Sequence, residues 1–104
     1  MAATNRETEV LELVRTCLSG FADRLRGYRI VLFGSRAAGT AGPRADFDLG
    51  VEGPVPLPLD TFCRVRDALE ELPTLYSIDW VDLQRVTPQF RQEAMQHSRT
   101  LYEA

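Results

Sequence analysis

The chain has 104 residues, with 12 basic side chains against 15 acidic ones and a net charge of −3. One domain over residues 1–104 is therefore expected, since folding at this length hides roughly 65% of the unfolded chain's surface and a second core has no room. The 44% hydrophobic and 26% charged fractions are those of a globular protein and exclude a disordered tail. The acidic balance also argues against a partner held by broad neutralisation of nucleic-acid phosphates. All 12 cations are arginine, planar forks suited to carboxylate and phosphate. Codon bias explains that more readily than functional selection does.

Cys17 and Cys63 lie far apart at apolar helical positions and read as buried thiols, with neither a metal-ligand spacing nor a disulfide framework. The start Met1-Ala2-Ala3-Thr4-Asn5-Arg6-Glu7 has no apolar run of the signal-peptide kind, so a reducing cytoplasm is expected.

In chain order, Val10, Val14, Cys17, Phe21 and Leu25 recur at helical spacing from about Asn5 to Arg26. Thr4 and Glu7 could form a capping box there, and Gly27 a stop. Tyr28-Arg29-Ile30-Val31-Leu32-Phe33 reads as a buried strand. The small-residue stretch from Gly34 to Pro43 reads as a turn, a short helical piece and a loop. From Asp46 to Glu52 the pattern alternates, with Phe47, Leu49 and Val51 on one face and Asp46, Asp48 and Glu52 on the other, as a half-buried strand requires. A helix follows from Leu59 to Leu72, with Asp60 as its expected N-cap. A third strand covers Tyr76 to Leu83. Thr87-Pro88 opens a last helix whose stripe is Phe90, Ala94, His97 and Leu101. The predicted order α-β-α-β-α-β-α implies one small sheet with helices packed on it, an α/β (α+β) fold.

Two constellations carry chemistry. Residues two apart on a strand share a face, so Asp46 and Asp48 project together. Two such anions raise a pKa or call for a cation, and Mg²⁺ takes oxygen ligands of this kind. Aspartate is disfavoured in strands, which makes the pair costly unless it is used. Asp79, between Ile78 and Trp80, is a third candidate because a carboxylate in an apolar run needs a polar site to face; Asp82 falls on the opposite face and is the weaker one. The other constellation is Gly34-Ser35, where a buried strand ends. Glycine lets a backbone approach an anion, and exposed amides with a serine hydroxyl can hold one. Arg36 could contact phosphate or lie in solvent. His97, Trp80 and Tyr102 read as packing or interface residues.

The spacing Gly34-Ser35, ten residues, then Asp46-Phe47-Asp48-Leu49, with a later acid, resembles the signature of the DNA polymerase β-like nucleotidyltransferase superfamily. Gly-Ser-Arg-Ala-Ala-Gly-Thr-Ala followed by Asp-x-Asp-Leu is closer still to the minimal nucleotidyltransferases (MNT), and the likeness runs from about Glu9 to Tyr102. The resemblance implies a mixed sheet flanked by helices, with Asp46, Asp48 and Asp79 as catalytic carboxylates and Mg²⁺ ligands. It also implies that Gly34 and Ser35 bind the phosphates of ATP. Members of this kind are antitoxins paired with a HEPN-domain ribonuclease toxin, to a tyrosine of which they transfer AMP, and a chain this short would leave the acceptor to another protein. Ala45, Ala38 and Gly42 depart from the family's usual serine and arginines. Two other readings stay open: a nonenzymatic binding module with a vestigial site, and transfer to a small-molecule acceptor.

Overall fold

A computed structural model describes the backbone of residues 2–104 and the side chains from Arg6 onward. Its elements are α1 (Ala2–Ser19), β1 (Arg29–Phe33), α2 (Gly34–Ala38), β2 (Phe47–Glu52), α3 (Leu59–Glu70), β3 (Ile78–Asp82), α4 (Pro88–Met95) and β4 (Arg99–Glu103). The four strands form one mixed sheet in the order β3-β2-β1-β4. Strand β1 runs antiparallel to both β2 and β4, whereas β2 and β3 are parallel. Parallel neighbours need a crossover, and α3 supplies it.

Period-two alternation sorts the strand residues onto two faces. Ile30, Leu32, Phe47, Leu49 and Val51 join Val10, Val14 and Leu18 of α1 and Val65 and Leu69 of α3 in the main core. The opposite face carries a smaller cluster, Val31, Phe33, Leu83 and Ala94. Both faces of β1 are thus covered, and Ile30, Val31 and Leu32 are fully buried. That agrees with the continuous apolar run in its sequence. On β2, a Cβ at Gly50 would come within 2.7 Å of Leu83 Cδ1, so glycine there lets the second cluster seat on the sheet.

Two of the predicted elements are corrected. The first helix ends at Ser19, well before Arg26, and turns carry the chain on to Gly27. Ser19 Oγ donates to the Thr16 carbonyl at 2.7 Å and Gly20 follows, both weakening helix continuation. Leu25 is nonetheless buried, and Phe21 packs against the core. The Thr4–Glu7 capping box lies outside the residues whose side chains are described.

The last predicted helix is a helix and then a strand. Thr87 Oγ1 accepts from the Phe90 amide at 3.1 Å, as its cap position predicts, but α4 stops at Met95 and β4 pairs with β1. The otherwise open edge of β1 accounts for this, because pairing satisfies backbone groups that a longer helix would leave exposed. Leu101 is buried from β4 instead of from a helical stripe. His97, expected on that stripe, is exposed.

Smaller corrections concern single residues. Pro58 occupies the N-cap of α3, and Asp60 instead pairs with Arg24 at 3.4 Å. Cys17 and Cys63 are half-buried, not buried, and desolvation pushes the Cys17 thiol up from its ordinary range. Asp82 is buried, accepting from the amides of Leu57 at 2.8 Å and Gln84 at 2.9 Å. With Arg85 also beside it at 3.4 Å, this carboxylate holds the loop before α3 to the end of β3. Trp80 donates its indole N–H to the Phe62 carbonyl at 3.1 Å, and Tyr102 is half-buried against the core; both are packing residues.

Candidate active site

Three neighbouring strand ends build the site. In the antiparallel β1–β2 pairing Phe33 faces Asp48, and in the parallel β2–β3 pairing Asp48 faces Asp79. Asp48 and Asp79 therefore stand side by side on the face opposite the main core. Gly34 follows Phe33 directly and starts α2 with φ of 75°. A Cβ on Gly34 would lie 2.2 Å from Asp48 Oδ2 and 3.1 Å from Asp48 Cγ. Both the left-handed backbone and this close approach require glycine. The Gly-Ser turn and the central carboxylate are thus packed against each other.

Asp46 is placed differently from its partner. It lies one residue before β2 and is exposed, whereas Asp48 is half-buried within the strand. Asp46 contributes to a groove of about 1060 Å³ that also involves Arg6, Arg36, Pro43, Arg44 and Tyr76. That volume is on the scale of a small-molecule site. Asp79 is exposed, so the apolar run around it opens onto solvent at this residue.

Burial first, then the hydrogen bond to Asp79 and the charges of Asp79 and Asp46, together raise the Asp48 carboxyl to about 6. In a chain with 12 arginines, the ion pairs among the described residues take up Glu7, Glu12, Asp23, Glu52, Asp60, Asp67 and Asp82. None reaches Asp46, Asp48 or Asp79. Among the described residues no three His, Cys, Asp or Glu side chains gather at metal-ligand spacing. What fits a hard cation is the Asp48–Asp79 pair, two oxygen donors held together without a counter-charge, and one or two protein carboxylates suffice for Mg²⁺.

A pH dependence follows. Because the folded Asp48 pKa is raised, the folded state holds a proton that the unfolded chain has released between about pH 4 and pH 6. The contribution of Asp48 to stability is therefore full below that window and lost as pH rises through it. Denaturation midpoints of the cation-free protein are expected to fall across the window relative to those of Asp48→Asn, and millimolar Mg²⁺ is expected to reduce the difference.

Arg36 is the residue whose place the sequence left open. Its Nε and Nη2 donate to the Ala45 carbonyl at 3.1 and 2.8 Å. Its guanidinium carbon sits 4.0 Å over the Phe47 ring and 5.2 Å from that of Tyr76. No local pattern signals this place, because both rings are distant from Arg36 in sequence and the acceptor is a main-chain carbonyl.

A small mixed sheet whose first strand ends in a Gly-Ser turn against carboxylates on the next two strands is the framework of a nucleotidyl-transferring protein. A family model described as polymerase beta, nucleotidyltransferase matches residues 26–104, and the chain belongs to that family. The same fold occurs in chains of solved toxin–antitoxin complexes. One, with AMP-PNP, is 22% identical with a TM-score of 0.57 over 84% of this chain and 70% of that one. A chain of the MntA–HepT complex is 18% identical with a TM-score of 0.64 over 93% and 73%. A third, from a tri-AMPylated Shewanella oneidensis HEPN toxin in complex with its MNT antitoxin, is 20% identical with a TM-score of 0.51 over 98% and 73%. No curated protein matches the chain. The expected fold class and polymerase β-like family are met. Among the described residues no helix is long and apolar enough to cross a membrane.

Proposed function

We propose that the chain is a Mg²⁺-dependent nucleotidyltransferase of the MNT kind, the antitoxin that transfers AMP from ATP to a tyrosine of a HEPN-domain toxin. The observation that carries the reading is the register of Asp48 with Asp79 beside the Gly34 turn, carboxylates with no ion-paired arginine among the described residues, at the end of a buried strand. The solved complexes of similar fold with AMP-PNP and with an AMPylated HEPN toxin support the nucleotide and the partner.

In this reading Asp48 and Asp79, with Asp46 from the groove side, are the oxygen ligands of Mg²⁺. The cation, when bound, supplies neutralisation of charge developing on the α-phosphate and on leaving pyrophosphate. The amide and hydroxyl of Ser35 bind phosphate oxygens where Gly34 lets the backbone come close. The acceptor enters along the groove beside Asp46, so that its oxygen bonds to the α-phosphorus as the bond to the β-phosphate's bridging oxygen breaks. Asp79, the more exposed carboxylate of the pair, receives the hydroxyl proton. Alignment of the two reactants accounts for much of the rate.

Two labels test the reaction class. With Mg²⁺ and the HEPN-domain product of the neighbouring gene, label from the α-phosphate of ATP is expected on that partner and label from the γ-phosphate in released pyrophosphate. Label from the γ-phosphate on the partner would make the protein a kinase, and label on neither product would remove the proposed activity.

A further inference from the structure

We propose that Arg36 is the positioning residue of the site: without touching nucleotide, it fixes Asp46 relative to the Ser35 turn. The inference rests on the cation-site reading above.

Arg36 is the next residue after Ser35 in α2, and its guanidinium reaches across the Gly39–Ala45 loop to the entry of β2. There it grips both neighbours of Asp46. Two N–H groups converge on the Ala45 carbonyl at 3.1 and 2.8 Å, and the cation lies 4.0 Å over the Phe47 ring. Phe47 is fully buried and meets Tyr76 edge-on, with ring centroids 5.4 Å apart. The Phe47 amide donates to the Ser77 carbonyl at 2.9 Å. Asp46, exposed and outside the ladder, is thus the one acid of the three whose backbone is not held by strand pairing with a neighbour, and Arg36 replaces that restraint. Lysine cannot do the same, because a single ammonium offers neither the two parallel donors nor a flat face for the ring. The anchor also explains why the guanidinium does not neutralise the carboxylates: its donors on this side are committed to a carbonyl.

Partners that orient a metal ligand typically carry a factor of about 10 to 100 in metal affinity. Mn²⁺ binding to the purified full chain, read by the loss of its free paramagnetic resonance signal, is therefore expected to weaken about tenfold or more in both Arg36→Gln and Arg36→Lys. The control is Arg26→Gln, which removes an exposed arginine paired with Asp23. Thermal midpoints of the Arg36 variants should stay within about 5 °C of the unaltered chain, and methylguanidinium should restore affinity to Arg36→Gly. At saturating Mn²⁺ the KM for ATP should hold within about twofold while kcat falls. A raised KM with unchanged Mn²⁺ affinity would make Arg36 a phosphate ligand and overturn the inference, as would behaviour indistinguishable from Arg26→Gln. If the chain binds Mn²⁺ but transfers nothing, the function fails while Arg36 is still judged by affinity. If it does not bind Mn²⁺, hydrogen exchange at the Phe47 amide decides, with unchanged exchange in Arg36→Gln counting against the role.

Discussion

Asp48→Asn is expected to make the cation-free protein more stable and the enzyme inactive. The ionised Asp48 carboxylate is half-buried and opposed by Asp79 and Asp46, which together with burial hold its pKa at about 6. At neutral pH it is charged in a setting that disfavours charge. Asparagine keeps the shape, removes the repulsion and can donate to Asp79. An increase in thermal midpoint on the order of 4 °C is expected for a domain of this size, read by calorimetry in chelator. In the proposed reaction the same change removes a central cation ligand, so AMP transfer should drop by about a hundredfold or more. Opposite signs for stability and activity mark a residue kept for function at the expense of the fold. A loss of both would make Asp48 a structural carboxylate like Asp82.

Gly34→Ala should be damaging for two separable reasons. The φ of 75° at Gly34 costs an alanine about 1–2 kcal/mol. The added methyl also collides with Asp48 Oδ2, at 2.2 Å, and the carboxylate must swing away from Asp79. A denaturant midpoint reads the first effect, and transfer activity the second. A double-mutant cycle tells them apart. In an Asp48→Ala background, which removes the colliding carboxylate, Gly34→Ala should cost only its backbone strain, so the two substitutions should not add. Strict additivity would show that the contact between the turn and the carboxylate is not what glycine is there to allow.

The parts of the molecule that depend on local pattern were readable, and those that depend on long-range pairing were not. The alternation around Phe47, Leu49 and Val51 placed Asp48 on the face away from the core, and the apolar run of β1 ended at the turn that holds Gly34 and Ser35. Strand β4 was missed because Leu101 is its one buried residue, and a single apolar position fits a helical stripe as readily as a strand. Its identity is set by the edge of β1, nearly 70 residues earlier in the chain. The early end of α1 was hidden for a related reason: Phe21 and Leu25 still reach the core from turns, so burial continued where the helix did not. Asp82 showed only that it faced away from Asp79, and its two amide partners come from loops. Arg36 was visible as a residue but not in its role, since what it binds is the backbone of Ala45. The separation of Asp46 from Asp48 likewise follows from where β2 begins, and strict alternation treated them as equals.

In the proposed reaction the Gly34-Ser35 turn and the carboxylates beside it transfer AMP to a protein partner. Its most direct test is the intact mass of the HEPN-domain partner after incubation with ATP, Mg²⁺ and the chain, set beside the same incubation with Asp46→Asn combined with Asp48→Asn. The partner should gain the mass of one or more AMP groups on tyrosine with the unaltered chain and none with the double variant. A partner that is neutralised without any gain in mass, or modified equally by the double variant, would contradict the account.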